Sequence, residues 1–199
     1  MNREDVRRAW DDVSRTYAER RDPDGSDADL IDDLLAAAPP DPAVLDIGCG
    51  DGARTLANLP NESVGIDVSR VGLGLARETV PGAQLVQGDM LQLPFASDRF
   101  DALSAYHAVF HVPREAHPAV YEEFARVLRP GRTALLTLPG GRFETVRRGW
   151  MGGEMFFSAP GRERTLAQLR AAGFTDLRTE TVTDPLGSDS EMVFATLAK

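Results

Sequence analysis

The sequence predicts an α/β fold in which a mostly parallel sheet is covered by helices on both faces and preceded by an N-terminal helical cap. Three observations carry the prediction. From Ala43 onward, short apolar strands alternate with amphipathic helices, the rhythm of a parallel sheet with crossover helices. Two strand-like segments follow one another at the end of the chain, which gives the sheet one antiparallel strand. A glycine-rich turn from Gly48 to Gly52 directly follows the first apolar strand, the place where an open parallel sheet approaches its ligand.

The elements follow in order, as parts of one domain of 199 residues. Residues 1–40 form the cap. Val6, Trp10, Val13 and Tyr17 recur at spacings of four, three and four, which puts them on one face of a helix. Pro23 and Gly25 break that helix, and a second runs from about Asp29 to Ala38, ended by prolines. Residues 41–139 form the core. Its strands are predicted at 43–47, 63–68, 83–89, 100–106 and 133–139. Between them come a short helix over 53–59, a helix over 70–80 capped by Ser69, a loop over 90–98 and an amphipathic helix over 117–128. Arg129-Pro130-Gly131 is expected to stop that last helix. Residues 140–164 read as a long insertion on the core. Residues 165–199 hold most of a helix over 164–173, stopped by Gly173, and a hairpin of strands at 174–182 and 191–199, ending at Lys199.

Composition bounds the rest. The net charge of −9 argues against nucleic acid or a membrane as partner. No apolar run is long enough to span a bilayer, and the charged first twelve residues lack the apolar stretch of a signal peptide. The single cysteine, Cys49, excludes an internal disulfide. These features point to the cytoplasm. No set of Cys and His has metal-ligand spacing, so no metal is expected.

The turn is more specific. A dinucleotide fingerprint needs G-x-G-x-x-G, with a pyrophosphate on the helix N-terminus. Here the pattern is G-x-G-x-G, and Asp51 stands between the last two glycines. A carboxylate there repels a pyrophosphate and tolerates a ligand whose nearby part is cationic or uncharged. Asp67 ends the next strand, suited to bidentate hydrogen bonds with two ribose hydroxyls. Asp89 ends the third, where it can accept from an exocyclic amine such as adenine N6.

These stretches, with FDALSAYHAVFHV (100–112), EFARVLRPGRTALLTLP (123–139) and LRAAGF (169–174), resemble the motifs of the class I S-adenosylmethionine-dependent methyltransferases. The resemblance covers 43–199 and is to the small-molecule type, in the ubiquinone/menaquinone-biosynthesis-like group. It implies a Rossmann-like seven-stranded sheet and S-adenosyl-L-methionine as cofactor, with S-adenosyl-L-homocysteine as product. It implies that Asp46 and the backbone of Gly48, Cys49 and Gly50 face the methionine moiety. Asp67 then binds the ribose and Val68 packs on the adenine. Asp89 contacts the adenine amine, and the Met90 N–H lies near a ring nitrogen. Ala105 and Tyr106 border the methionine amine and sulfonium. Arg132 departs from the family, which more often has glycine there.

Methyl transfer from a sulfonium needs no metal and no covalent nucleophile, only a positioned acceptor. Cys49 reads as a small residue in a tight loop. An oxygen or nitrogen acceptor can still need a base, and His107 is the candidate, ahead of His111. The two share a face if their stretch is helical. His117 reads as a helix-entry residue. Tyr106 can orient the acceptor or simply wall the cofactor pocket. Tyr17 can close over the methionine end or anchor the core beside Trp10.

The acceptor is a small molecule whose identity the sequence does not give, nor does it give the oligomeric state. The insertion at 140–164 carries Phe143, Trp150, Met151, Met155, Phe156 and Phe157 among five arginines and three glutamates. It reads as a lid over an apolar acceptor with an anionic group, Trp150 and Phe156 foremost, or as aromatics packed on the sheet edge. Three other readings stand beside the enzyme. An NAD oxidoreductase is opposed by the glycine spacing and Asp51. A non-catalytic S-adenosylmethionine-binding module fits the same residues. A macromolecular acceptor is disfavoured by charge, and SAYH (104–107) is not the Asn/Asp-Pro-Pro-aromatic motif of DNA N-methyltransferases.

Overall fold

The computed structural model describes residues 1–22, 24–26 and 29–198. Pro23, expected to end the first helix, and Lys199, at the end of the last strand, lie outside the described residues. Seven strands form one sheet in the order β3-β2-β1-β4-β5-β9-β8. They are β1 (Val44–Ile47), β2 (Val64–Asp67), β3 (Gln84–Gln87), β4 (Phe100–Ala105), β5 (Leu128–Leu138), β8 (Phe174–Thr183) and β9 (Asp189–Leu197). β9 pairs antiparallel with both β5 and β8, and the other pairings are parallel. The chain runs from β1 outward to β3 and then returns to β4 on the other side of β1. That reversal opens a crevice at the carboxyl ends of β1 and β4.

Helices cover both faces. On one, α4 (His117–Val127) and α5 (Arg162–Ala171) bury Val120, Phe124, Val127, Leu166 and Leu169 against β1, β4 and β5. On the other, α2 (Asp29–Ala36) and α3 (Arg70–Thr79) bring Leu30, Ile31, Leu34 and Leu73 onto Val44, Ala102 and Leu135. The Ser69 hydroxyl accepts from the Gly72 N–H at 3.0 Å and caps α3. The cap helix α1 (Arg3–Arg20) starts with a reciprocal Asn2/Asp5 capping box.

Three expectations need correction. Residues 53–59 form no α-helix, only a 3-10 turn at Leu56–Asn58. The segment is too short to repay helix nucleation, and Thr55 is turned aside to donate its hydroxyl to buried Asp46. Helix α4 ends at Val127, just ahead of Arg129-Pro130-Gly131 as expected, but those residues are not a loop before a later strand. β5 already begins at Leu128 beside Phe100, and the three residues lie in a bulge before the pairing resumes at Ala102 and Thr133. Gly131 supplies the left-handed φ of 75° that the bulge requires.

The third concerns the insertion. It is a hairpin, β6 (Arg142–Trp150) and β7 (Gly153–Pro160), in a sheet of its own. Met151 and Gly152 make its two-residue turn, with φ of 50° and 86°, the handedness that matches strand twist. The hairpin is anchored by side chains to backbone. His111 donates Nδ1–H to the Phe156 carbonyl at 2.8 Å, and Ser158 Oγ donates to the Val112 carbonyl at 2.5 Å. Met155 and Phe157 pack on Ala9 and Val13 of α1.

Candidate functional site

A cavity with about 970 Å³ of empty space, open to solvent, occupies the crevice at the ends of β1, β2 and β4. The glycine turn forms its floor. The Gly48 and Cys49 N–H groups donate to the Ile66 carbonyl, and the Gly52 N–H donates to the Cys49 carbonyl. At Gly48 a Cβ would lie 2.6 Å from the Ala108 Cβ, so only glycine fits. At Gly50, with φ 54°, a Cβ would meet nothing within 4 Å. There the bare backbone faces open space, a cradle for a ligand.

Asp67 stands at the cavity edge. Its Oδ2 accepts from the Gly50 N–H at 2.9 Å and its Oδ1 from the Ser69 N–H at 2.7 Å. Desolvation raises its pKa, and these two N–H groups counter the rise. Each carboxylate oxygen keeps a lone pair for a further donor. Val68 and Met90 line the same cavity, with Ile47 and Ile66 adding apolar wall. Tyr17 and Tyr106 line it from α1 and from the end of β4.

Three residues predicted for the site do not line the cavity. Ala105 is wholly buried in β4. Asp46 is buried beneath the turn, accepting from Thr55 Oγ1 and, at 2.7 Å, from Ser104 Oγ. Desolvation lifts its pKa to about 6, against the pull of those hydroxyls. The Asp89 carboxylate is held by the Arg3 guanidinium at 2.7 and 2.9 Å, with the Leu91 N–H on Oδ1. Its neighbours Gly88 and Met90 line the cavity instead. Cys49 lines the cavity, and its Sγ packs against Gly65 in the core. Burial pushes its thiol well up, which removes it as a nucleophile.

Sequence reasoning missed Arg21. Its buried guanidinium sits in the cavity wall, one nitrogen 2.6 Å from both oxygens of Asp51. Asp51 is therefore a paired carboxylate, not a bare one. The other nitrogen, Nη1, is buried with no hydrogen-bond partner among the described residues. Arg21 follows the last turn of a helix in the run Glu19-Arg20-Arg21-Asp22. Nothing in that charge run distinguishes it from a solvated helix end. The cap helix is also fastened above the site. Asp11 accepts from Ser69 Oγ at 2.8 Å, and Arg3 donates to the His111 carbonyl at 2.8 Å.

A second cavity lies beside the first, between α1, the β6-β7 hairpin and the β8-β9 turn. The two share Trp10, Tyr17, His107, His111 and Pro185 as walls. Its further lining includes Phe110, Phe143, Trp150 and Phe157. Trp10 stands edge-on to Tyr17 and Trp150, with centroids 5.6 Å apart in each pair. Phe156, expected in a lid, is buried off this cavity, on the other side of β7 from Phe157.

The two histidines of the shared wall differ. His107 has φ 49° and lies before the 3-10 turn Val109–His111, so no helix places both on one face. Its N–H donates to Thr137 Oγ1 at 2.8 Å, which holds the left-handed backbone in place. His111 must carry its proton on Nδ1 to bond the Phe156 carbonyl. Desolvation drives its pKa down to about 3 despite that bond, too low for a base at neutral pH. His117 is buried at the start of α4, donating Nε2–H to the Val112 carbonyl at 3.0 Å. Tyr17, pushed up to about 12 by burial, keeps its proton.

Residues 44–131 match the profile of a family described as a methyltransferase domain. The methyltransferase GfsG of Streptomyces halstedii is 40% identical over 97 residues, 44% of this chain and 34% of GfsG. A tRNA (carboxymethyluridine(34)-5-O)-methyltransferase of Xenopus tropicalis is 30% identical over 137 residues, 68% of this chain and 21% of that protein. The chain thus spans about a third or less of the length of these curated relatives. Among solved structures, a phosphoethanolamine N-methyltransferase of Haemonchus contortus, in complex with phosphomonomethylethanolamine and S-adenosylhomocysteine, superposes with a TM-score of 0.72 at 15% identity. The match covers 98% of this chain and 59% of that one. None of these singles out the quinone-biosynthesis group. No helix among the described residues is long and apolar enough to cross a membrane.

Proposed function

The chain carries a methyltransferase domain at residues 44–131 on a class I S-adenosylmethionine-dependent methyltransferase fold, and from that premise we propose that it transfers a methyl group from S-adenosylmethionine to a small-molecule acceptor. One observation carries the reading: two cavities, one built on the glycine turn and Asp67 and the other on aromatic rings, meet at a common wall that includes Trp10, Tyr17, His107 and His111.

The residues of the first cavity suit the cofactor. Asp67 accepts from the ribose hydroxyls through its spare lone pairs, and Val68 and Met90 flank the adenine. The bare backbone at Gly50 and the unpartnered Nη1 of Arg21 receive the amino-acid tail, Arg21 taking its carboxylate. Asp51 keeps Arg21 in place and neutralises it in part, which leaves room for the positive sulfonium nearby. Asp46 acts from below, locking Thr55 and Ser104 so that the glycine turn holds its shape. When bound, S-adenosylmethionine supplies an activated methyl group on sulfur. The chain then has to align the acceptor and exclude water. Trp10 and Tyr17 roof both cavities and perform the exclusion. His107, at the junction, takes the acceptor proton where the acceptor has one to lose.

Calorimetry with S-adenosylhomocysteine tests the first half. Binding is expected, and weakened in Asp67→Ala; unchanged affinity would refute the assignment. Incubation with labelled S-adenosylmethionine and a metabolite library tests the second half. Label entering only protein or RNA, never a small molecule, overturns the acceptor class.

A further inference from the structure

The reading above leaves the acceptor undefined, and the second cavity narrows it. In the hairpin register Arg147 pairs with Met155, Thr145 with Phe157 and Phe143 with Ala159. Directly paired residues project from the same side of a sheet. Met155 and Phe157 pack against α1, so Arg147 lies on that same face of the hairpin, with its own side chain exposed. A charge on that side is the exception to the pattern of a hairpin that buries one face.

Arg147 lines the second cavity, its guanidinium carbon 4.8 Å from the centroid of the Phe157 ring. The other hairpin arginine near the turn, Arg148, projects outward and pairs with Glu154 at 3.2 Å. Arg147 has no carboxylate partner among the described residues. Asp184 is the acidic residue in that lining. Its carboxylate is committed to the β8-β9 turn, accepting from the Leu186 N–H at 2.8 Å, the Ser188 N–H at 3.0 Å and Ser190 Oγ. The remaining walls are mostly rings, the half-exposed Phe110, Phe143 and Trp150 among them, with Leu186, Ser188 and Ser190 at the β8-β9 turn. His111 is held neutral by burial and adds no cation. The cavity therefore presents ring faces and, on the hairpin side, one guanidinium with no carboxylate partner, supported from behind by Phe157, while the Asp184 carboxylate is tied into the turn.

We infer that the second cavity binds a ring-bearing, otherwise apolar acceptor that carries one carboxylate, seated on Arg147. The inference rests on the cofactor reading of the first cavity only for the word acceptor; the binding preference stands on the second cavity alone. Arg147 is a specificity-determining residue here, since it selects by charge at the hairpin side and not at the shared wall.

The test uses three probes of one shape: 2-naphthoate, 2-naphthylmethanol and 2-naphthylmethylamine. Each is titrated calorimetrically into the full chain, with and without saturating S-adenosylhomocysteine. The carboxylate is expected to bind roughly tenfold or more tighter than the alcohol, and the amine weakest. Arg147→Glu should remove that preference and improve the amine, while Arg147→Lys retains part of it. Both variants alter an exposed side chain, and an unchanged affinity for S-adenosylhomocysteine shows that they are folded. Equal affinity for the three probes, no binding of the naphthoate, or a preference that survives in Arg147→Glu overturns the inference. Failure of S-adenosylhomocysteine to bind, with the naphthoate preference intact, overturns the cofactor reading and leaves this one standing.

Discussion

The two cavities on either side of His107 are made of different material. The first sets backbone and charge into its apolar walls: the glycine turn, the amides that hold Asp67, and the Arg21-Asp51 pair. The second is mainly side-chain rings, three of them carried on a hairpin outside the main sheet and the rest on α1 and the segment after β4. Backbone cavities are hard to alter one residue at a time, because each N–H and each positive φ depends on its neighbours. Ring-lined cavities change with every substitution. The difference assigns invariance of ligand to the first and tuning of ligand to the second.

The largest expected effects are on stability, and they differ in sign between the shared wall and the floor of the first cavity. His111 stands in the shared wall among the rings of Trp10, Phe110 and Phe157, and burial lowers its pKa from 6.5 to about 3. As pH falls below about 6.5 the unfolded chain binds the proton first. The folded state should then lose stability progressively toward pH 3, by on the order of 4–5 kcal/mol in all. Urea denaturation at pH 7, 5.5 and 4 checks this, with His111→Gln showing the shallower decline. Equal slopes in the two proteins would mean that His111 carries no such linkage.

Asp46, beneath the backbone cavity, runs the other way. Its folded pKa of about 6 exceeds the usual 3.8, so the folded state holds the proton longer. Between about pH 4 and 6 this group costs stability as pH rises, roughly 2–3 kcal/mol by pH 7. Asp46→Asn should be relatively more stable at pH 7 than at pH 4. A difference independent of pH is the contrary outcome.

Ligand binding gives the next effects. Asp67→Asn is expected to weaken S-adenosylhomocysteine by about 1.5–3 kcal/mol while leaving naphthoate binding in place. Trp150→Ala should show the reverse at a smaller scale, a loss of about 0.5–1.5 kcal/mol for the ring-bearing probe with cofactor affinity kept. Calorimetry on both variants with both ligands measures the separation. Losses of both ligands in both variants would merge the two cavities into one site.

The same difference governed what could be read in the chain. The glycine turn, Asp67 and the Ser69 cap lie within 22 consecutive residues, and their spacing is their geometry. The mostly parallel sheet with helices on both faces followed from alternation, though the order of its strands did not. The hairpin was not legible because β7 is covered on both sides, by α1 and by the segment around His111. Met155, Phe156, Phe157 and Ser158 are all buried, so the strand shows no alternation of apolar and polar residues. The carboxylates had a different difficulty. Asp46, Asp51 and Asp89 each have partners distant in sequence, namely Ser104, Arg21 and Arg3. An acid at a strand end can be read from spacing, but its partner cannot.

Helix α1 roofs both cavities, with Trp10 and Tyr17 in each lining, and is fastened at Asp89, Ser69 and the His111 carbonyl. A roof shared in this way is also a thermodynamic link. To whatever extent the first ligand further orders the helix, it bears that entropy and the second is spared it. Two sites that share a wall thereby acquire positive cooperativity, and by linkage the gain is the same whichever is filled first.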